Sequence, residues 1–402
     1  MKKKYYLALG LLATLASCSQ DEVMEVNRSG DEITFDVVAN KATRAADVFC
    51  NQNMPESFTV SAISGKQSYI KGDVIKYENG KWVNQNGTRY WPEANVDFYA
   101  HVNGGTAYKW DCTGGTASAK FVDFSPATTL ASQVDLLYAV KTEQSKTQTP
   151  VTLNFRHALS QIVFQARNDS KNLYVEISGV SVNNAESKGT FTFPSVSTDE
   201  NVEDHTGTTT DYPETAKGWG TWQLASGNPA SYEAAFTAVA VKGDKQVYPL
   251  TTKNASETPD DFTDNTMLLL PQTTTAWNNE TEALNATKGS YLMVNCLIYN
   301  VEDGSGVKGE DDVLLWGEQG EDGTCTPKPL AIPADYAWEQ GKKYIYTIVF
   351  GNGNGGYDPE DPDPGPDPVL VPISFEVEVD DFLQQPSQEI ESGVEDPGDG
   401  GN

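Results

Sequence analysis

The stretch Pro372-Ile-Ser-Phe-Glu-Val-Glu-Val-Asp-Asp-Phe382, near the end of the chain, alternates apolar and polar residues. Ile373, Phe375, Val377 and Val379 fall on one side, and hydroxyl or acidic residues fall on the other. A period of two is typical of a β-strand with one buried face. The stretch therefore predicts a half-buried strand.

A run rich in proline and aspartate, residues 358–368, separates this strand from the preceding chain. Such a run stays extended and cannot join a packed domain, so we expect the strand to lie outside the preceding fold. Residues 32–38 carry a near copy, because Ile-Thr-Phe-Asp-Val there matches Ile-Ser-Phe-Glu-Val in the later stretch. Two interchangeable strands suggest a subunit that exchanges strands with a neighbour.

The composition favours an all-β protein. The chain has 402 residues, enough for two ordinary domains, and its short apolar runs alternate with turn residues. The formal net charge of -29 argues against nucleic acid as a partner, because a phosphate binder needs a basic stripe.

The N-terminus has the pattern of a bacterial lipoprotein signal. Lys2-Lys-Lys4 precedes a short apolar run that ends in Leu15-Ala-Ser-Cys18. The run is too short to span a bilayer, so residues 1–17 are predicted to be a signal peptide and Cys18 the lipidated residue. The acidic residues after Cys18 resemble the motif that routes lipoproteins to the outer face of the outer membrane.

The loop after the first strand is a candidate processing site. Small residues surround Arg44, and exposed loops of this kind are where proteases cut. Cleavage between Arg44 and Ala45 would remove residues 18–44, with the lipid and the strand that contains Ile33, Phe35 and Val37. The alternative is an uncut connecting loop.

Polar and proline-rich segments suggest where the domains end. Residues 195–218 lack an apolar pattern, and we expect a domain boundary there. Residues 153–166 read as one long strand with a bulge near His157. The predicted units are two β-sandwich domains at 45–195 and 196–351, a linker at 352–368, a donor strand at 369–383 and an acidic tail at 384–402.

Four cysteines remain after Cys18, and an even number in an exported protein permits disulfides. Proximity favours Cys50 with Cys112 and Cys296 with Cys325. The alternative is four free thiols. There is no Cys-x-x-Cys pair, so a zinc site is not expected.

None of the candidate catalytic or ligand-binding motifs has the sequence context that its chemistry requires. Residues 351–356 match G-x-G-x-x-G, but prolines follow where a phosphate-binding helix would have to start. The acidic residues at 302–303 and 310–312 do not have the spacing of an EF-hand and read as a solvated hairpin tip. His157 has no candidate nucleophile and reads as structural. We expect no enzyme activity, metal or cofactor.

Trp219 and Trp222 flank a Gly-Thr pair in a predicted loop. They are the best candidates for stacking on a sugar ring, although packing in the core is the alternative. A surface lipoprotein that binds glycans and never polymerises is therefore the main alternative function.

Several motifs follow one another along the chain in an order and spacing that can be compared with those of known families. They are Arg89-Tyr-Trp-Pro92, Asp97-Phe-Tyr-Ala-His101, Phe155-Arg-His-Ala-Leu-Ser-Gln-Ile162, Leu268-Leu-Leu-Pro-Gln272 and Trp338-Glu-Gln-Gly-Lys-Lys-Tyr-Ile-Tyr-Thr347. Together they resemble the fimbrillin family, the pilins of type V pili, over nearly the whole chain.

The resemblance implies two β-sandwich domains of transthyretin-like topology, export as a lipoprotein, and cleavage after Arg44 by an arginine-specific protease. It implies a fimbrium on the cell surface, built from copies of the chain or other fimbrial subunits. In it, the C-terminal segment of one subunit fills the groove that the first strand of another has left. A pilus tip or anchor subunit would fit the same motifs.

Overall fold

The structure is a computed structural model that describes residues 31–39, 55–198, 218–251, 266–278, 284, 289–353, 355–360 and 371–381. In these ranges the chain is nearly all β, with single 3-10 turns at Gly105–Ala107, Thr113–Gly115 and Leu130–Ser132. The predicted all-β class is confirmed. Cys18, Arg44, Ala45 and Cys50 lie outside the described residues.

The strands follow one another along the chain with short connections. They are β1 Phe35–Ala39, β2 Ser57–Ser64, β3 Gln67–Glu78, β4 Lys81–Asn84, β5 Val96–Val102, β6 Tyr108–Asp111, β7 Ser118–Phe124, β8 Leu137–Gln144, β9 Val151–His157, β10 Ser160–Asn168, β11 Leu173–Glu186, β12 Gly189–Thr192, β13 Thr221–Leu224, β14 Pro229–Val241, β15 Val247–Pro249, β16 Met267–Leu269, β17 Tyr291–Asn300, β18 Val313–Trp316, β19 Glu318–Gln319, β20 Cys325–Thr326, β21 Lys328–Pro333, β22 Lys342–Phe350 and β23 Ile373–Asp381.

The first strands form a seven-stranded sheet in the order β1-β9-β8-β5-β2-β3-β4. In a flat sheet β1 and β2 would lie four strand spacings apart, about 19 Å. The ring centroids of Phe35 on β1 and Phe58 on β2 are instead 5.9 Å apart. The sheet therefore curls around its own apolar core, which contains Phe35, Phe58, Phe98 and Phe155.

A four-stranded sheet, β13-β12-β7-β6, covers the other face of the seven-stranded sheet. A second apolar core lies between them and contains Phe121, Tyr138 and Phe191. Leu268 and Leu270 belong to the same core although they lie on or beside β16, which pairs with β10 of another sheet. The first sandwich is thus joined to the second by apolar contacts.

The second sandwich has two sheets, each with a side branch. One runs β15-β10-β22-β23 with β16 paired to β10, and the other runs β14-β11-β17-β18 with β21 paired to β17. One core, which includes Phe164, Val175, Val294 and Ile348, fills the space between them. Strands β19 and β20 pair with each other in a small two-stranded ribbon.

The sheets do not divide the chain at residue 195, where we placed the boundary. Strands β10 and β11 lie in the second sandwich, and β12 and β13 return to the first. The predicted long strand over 153–166 is likewise two strands, because β9 and β10 belong to different sheets with Ala158 and Leu159 between them. Both strands are almost fully buried, so their apolar pattern gave no sign of the change of sheet.

Candidate functional site: the first-strand groove

Strand β1 lies at one edge of the seven-stranded sheet, parallel to β9. Phe35 is opposite Val151, and Val37 is opposite Leu153. Ile33, Phe35 and Val37 are only 5%, 7% and 9% exposed, whereas Asp36 between them is exposed. The alternating pattern of the sequence therefore corresponds to one buried and one exposed face.

The residues just before β1 are held from the opposite side. The amide of Ile33 donates to the carbonyl of Arg89 at 2.8 Å, and the amide of Trp91 donates to the carbonyl of Asp31 at 3.2 Å. Glu32 and Tyr90 form a β-bridge between these bonds. Residues 31–39 thus close the curled sheet between β9 and residues 89–91. We call the place they occupy, with β9 and residues 89–91 as its two walls, the first-strand groove.

The ring of Phe35 fills the middle of this groove. It meets Phe98 edge to face at 5.5 Å and Phe58 edge to face at 5.9 Å. Phe58 in turn packs on Phe155, and Phe98 packs on Trp91. Edge-to-face contacts of this kind add to the stabilisation by burial alone. We call the site formed by Phe58 and Phe98 the Phe35 socket.

The wall at residues 89–91 is fixed by contacts that do not involve β1. Arg89 donates from Nε and Nη2 to the two oxygens of Asp73, at 2.7 and 3.0 Å. Asn84 donates to the same carboxylate at 2.8 Å, and the hydroxyl of Tyr69 donates to the carbonyl of Tyr90. The hydrogen bond to Asp73 raises the pKa of Arg89 above its ordinary value. The wall therefore has its own support when β1 is absent.

The C-terminal strand β23 does not lie outside the fold, contrary to our expectation. It pairs antiparallel with β22 over its whole length and forms the edge of its sheet. Ile373 is only 2% exposed and Phe375 is half-buried, but Val377 and Val379 are 44% and 55% exposed. Its own sandwich therefore covers only the first half of the strand's apolar face.

An ion pair holds the polar face of β23. Arg167 on β10 donates to both carboxylate oxygens of Glu376, at 2.9 and 3.1 Å, and also contacts Asp169 at 2.9 Å. The hydrogen bonds from Arg167 lower the pKa of Glu376. Because β22 lies between β10 and β23, this pair spans three strands and fixes the edge strand to the sheet.

The two tryptophans proposed for sugar stacking have contacts within the chain. Trp222 lies on β13, not in a loop, and its indole nitrogen donates to the carbonyl of Ala158 at 2.6 Å. The guanidinium of Arg156 lies 4.1 Å from the ring centre of Trp219. Both indoles are partly buried, so packing accounts for their positions, and glycan contact stays a prediction.

Cys296 and Cys325 are free thiols, and Cys112 forms no disulfide with any other cysteine that the structure describes. Cys296 is fully buried in the core of the second sandwich, and burial raises its pKa. Cys325 instead interacts with the hydroxyl of Tyr299, three residues further along β17 and thus on the opposite face of the sheet. This geometry contradicts the predicted Cys296–Cys325 disulfide. The predicted Cys50–Cys112 pairing involves a residue outside the described ranges.

His157 pairs with Asp135 at 2.9 Å, and both side chains are buried. Among the residues that the structure describes, no group of His, Cys, Asp and Glu side chains has the arrangement of a metal site. The glycines of the G-x-G-x-x-G match lie in or near a turn after β22. Gly351 and Gly353 adopt left-handed conformations there, and Gly356 packs against Leu330.

Within the described ranges, no helix has both the length and the apolar character needed to cross a bilayer.

The fold and the groove define a protein of two joined β-sandwiches, the first closed by an edge strand that comes from the chain's N-terminal end. The model of the fimbrillin-like family matches residues 43–360. The chain therefore belongs to the fimbrillin-like family. No curated protein matches the chain.

Several solved structures are similar at low identity. A candidate cell adhesion protein from Bacteroides ovatus is 11% identical, with 88% of this chain and 99% of that chain covered and a TM-score of 0.40. Another from Parabacteroides distasonis is 9% identical, with 89% and 99% covered and a TM-score of 0.40. A fimbrial protein from Bacteroides ovatus is 11% identical, with 55% and 47% covered and a TM-score of 0.28.

Membership of this family supports a structural, pilin-like role in adhesion at the cell surface, in association with other fimbrial subunits. The sequence had pointed to β1 and β23 but missed the support of the groove wall. Asp73 and Arg89 are far enough apart that no periodicity links them. The resemblance motif Arg89-Tyr-Trp-Pro92 was the signal that marked this wall.

Proposed function

We propose that the protein is a structural subunit of a surface fimbria and polymerises by strand exchange. The observation that carries the proposal is the pair of matching strands at the two chain ends. β1 fills a groove in the first sandwich, and β23 repeats its pattern with part of its apolar face left exposed. In the assembled fimbria, β23 of one subunit occupies the first-strand groove of the next.

The proposed sequence of events starts at the membrane. The precursor is exported, lipidated at Cys18 and held at the outer membrane with β1 in its groove. An arginine-specific protease then cuts between Arg44 and Ala45, and the lipid leaves together with β1. Arg44 belongs to the segment that connects β1 to β2, so a cut there separates β1 from the sandwich it closes.

Loss of β1 would create a surface that must be covered. The edge of β9 and the socket residues Phe58 and Phe98 would be open to water, and open sheet edges with apolar floors associate with other strands. An incoming strand forms a ladder along β9 and buries its own apolar residues, each worth about 1.5–3 kcal/mol. Because donor and acceptor are different surfaces, the contact does not close on itself and generates a filament.

A substitution at Val377 tests the proposal. Val377 is 44% exposed on its own sandwich, so Val377→Asp leaves the monomer folded, yet it would bury a carboxylate in a neighbour's groove. After treatment with an arginine-specific protease, we expect ladders on semi-native gels from the natural chain and from the control Glu378→Gln, and monomers from Val377→Asp. The unfolding midpoints of all three uncut proteins should agree.

Two further readouts complete this test. The N-terminal residue of assembled protein should be Ala45, and Arg44→Ala should stay monomeric with β1 in place. Ladders of equal length from Val377→Asp would show that β23 is not the donor. Assembly of Arg44→Ala at the natural rate would remove cleavage from the mechanism.

A further inference from the structure

We infer that the Phe35 socket sets the register and direction of strand exchange: Phe375 of a neighbouring subunit enters the socket, and the incoming strand runs parallel to β9. This inference rests on the proposed strand exchange and adds the position of each residue in it. The incoming Phe375 would lie opposite Val151, as Phe35 does in the uncut chain.

The socket fits the aromatic ring of Phe375 better than it fits the side chains of the neighbouring residues on β23. Phe35 makes edge-to-face contacts with Phe58 and Phe98 there and is 7% exposed. A slip of one residue would place Glu376 or Ser374 in the socket, which costs the burial of an unpartnered polar group. A slip of two would place Val377 or Ile373 there, and the smaller side chain would leave a cavity.

The neighbouring positions match in the same register. With Phe375 in the socket, Ile373 replaces Ile33 and Val377 replaces Val37, in sites where the resident side chains are 5% and 9% exposed. Val377 is 44% exposed on its own sandwich. The groove would therefore bury more of the apolar surface of β23 than its position beside β22 does, which favours the exchange.

The polar residues decide the direction. Thr34 is half-buried, whereas Asp36 is exposed beside the exposed Thr152. A strand parallel to β9 places Ser374 at the half-buried position and Glu376 at the exposed one. The antiparallel direction would place the Glu376 carboxylate at the half-buried position, where it loses hydration. In the parallel direction, the hydroxyl of Ser374 thus replaces the hydroxyl of Thr34, and the carboxylate of Glu376 replaces the carboxylate of Asp36.

Disulfide trapping between two different chains tests this arrangement. One full-length protein carries Thr152→Cys, and a second carries Glu376→Cys, Ser374→Cys or Glu378→Cys. The proteins are mixed, cut with an arginine-specific protease, assembled and mildly oxidised, and linked peptides are identified by mass spectrometry. Thr152→Cys assembled alone controls for bonds to the native cysteines.

We expect the Glu376→Cys mixture to give about tenfold more cross-linked dimer than either other mixture, because a disulfide tolerates little error in distance. Ser374 lies opposite Thr152 if the strand is antiparallel, or if it has slipped by two residues so that Ile373 occupies the socket. Glu378 lies opposite Thr152 if the strand has slipped by two residues in the other direction, so that Val377 occupies the socket. A dominant cross-link at Ser374 or Glu378 overturns the inference while leaving strand exchange intact. Polymers without any of the three cross-links would overturn both.

Discussion

The guanidinium of Arg89 donates two hydrogen bonds to the carboxylate of Asp73, with Nε 2.7 Å and Nη2 3.0 Å from its oxygens. The carbonyl of the same Arg89 accepts the amide of Ile33 from the segment that closes the first sandwich. A side-chain pair within the sheet thus positions a backbone acceptor at the wall of the groove. The effects of substitution at this pair should appear first at the closing strand.

Arg89→Lys should loosen the groove wall without removing its charge. Lysine cannot form two parallel hydrogen bonds to one carboxylate, so we expect a loss of about 2 kcal/mol of unfolding free energy in the first sandwich. Hydrogen exchange should accelerate at the amides of Ile33 and Trp91 before it does in the second sandwich. Asp73→Asn should give the same pattern, and equal acceleration throughout both sandwiches would count against this role for the pair.

Phe35→Ala should destabilise the uncut chain but not the cut one. The ring is 7% exposed between two phenylalanines, so its removal leaves a cavity and costs about 3–5 kcal/mol. Urea unfolding of the uncut variant should show an earlier transition of the first sandwich. After cleavage after Arg44 and release of β1, the natural chain and the variant should unfold together. Asp36→Asn, on the exposed side of β1, is the control and should have no effect in either state, because the amide oxygen can still accept from the backbone N–H of Val37.

Glu376→Gln should weaken the hold of the second sandwich on β23. The variant removes the charge that Arg167 binds, but Glu376 is largely exposed, so the expected loss is at most about 1 kcal/mol. Hydrogen exchange in β23 should become faster by about two- to fivefold. Glu378→Gln removes the same charge from the same face and should change less. If β23 must leave β22 to reach a neighbour, Glu376→Gln should also assemble faster, and slower assembly would refute that step.

His101 should make the first sandwich sensitive to mild acid. Burial beside Tyr108 and Phe121 lowers the pKa of His101 from 6.5 to about 4. The imidazole of His101 therefore binds a proton below about pH 6.5 in the unfolded chain, but only below about pH 4 in the folded chain. The contribution of His101 to the free energy of unfolding should fall by about 3 kcal/mol as the pH drops through this window, and stay constant above it.

The control for this prediction is His101→Gln, which cannot titrate. The difference between the two urea-unfolding curves, followed from pH 7 to pH 4, isolates the histidine from the carboxylates that titrate nearby. Parallel pH dependences of the natural chain and the variant would show that the proton on His101 does not affect folding.

Local patterns predicted most strands but not their sheet membership. The alternation in 32–38 and 373–381 corresponds to β1 and β23, and the all-β class follows from composition. Alternation says which residues share a face, but it cannot say which sheet supplies the neighbours. For the same reason, the polar composition of 195–218 could not show where the chain passes from one sheet to another.

The groove was predictable only in part. Ile33, Phe35 and Val37 were identified as its occupants from their spacing, and the structure places all three in the core. The partial exposure of β23 could not be read from its own pattern, because exposure depends on how far the facing sheet extends. The Arg89–Asp73 pair depends on the fold of β3 and on the path of the chain after β4, which no short-range rule specifies.

The return of the chain to the first sandwich at β12 and β13 has a mechanical consequence. The two sandwiches are linked covalently at residues 158–159, 187–188 and 225–228. A single flexible tether would extend under tension, but these three short tethers bear load together. Force along a fimbria would therefore reach the sheets themselves before it could separate the sandwiches, and each subunit would respond to stretching as one stiff element.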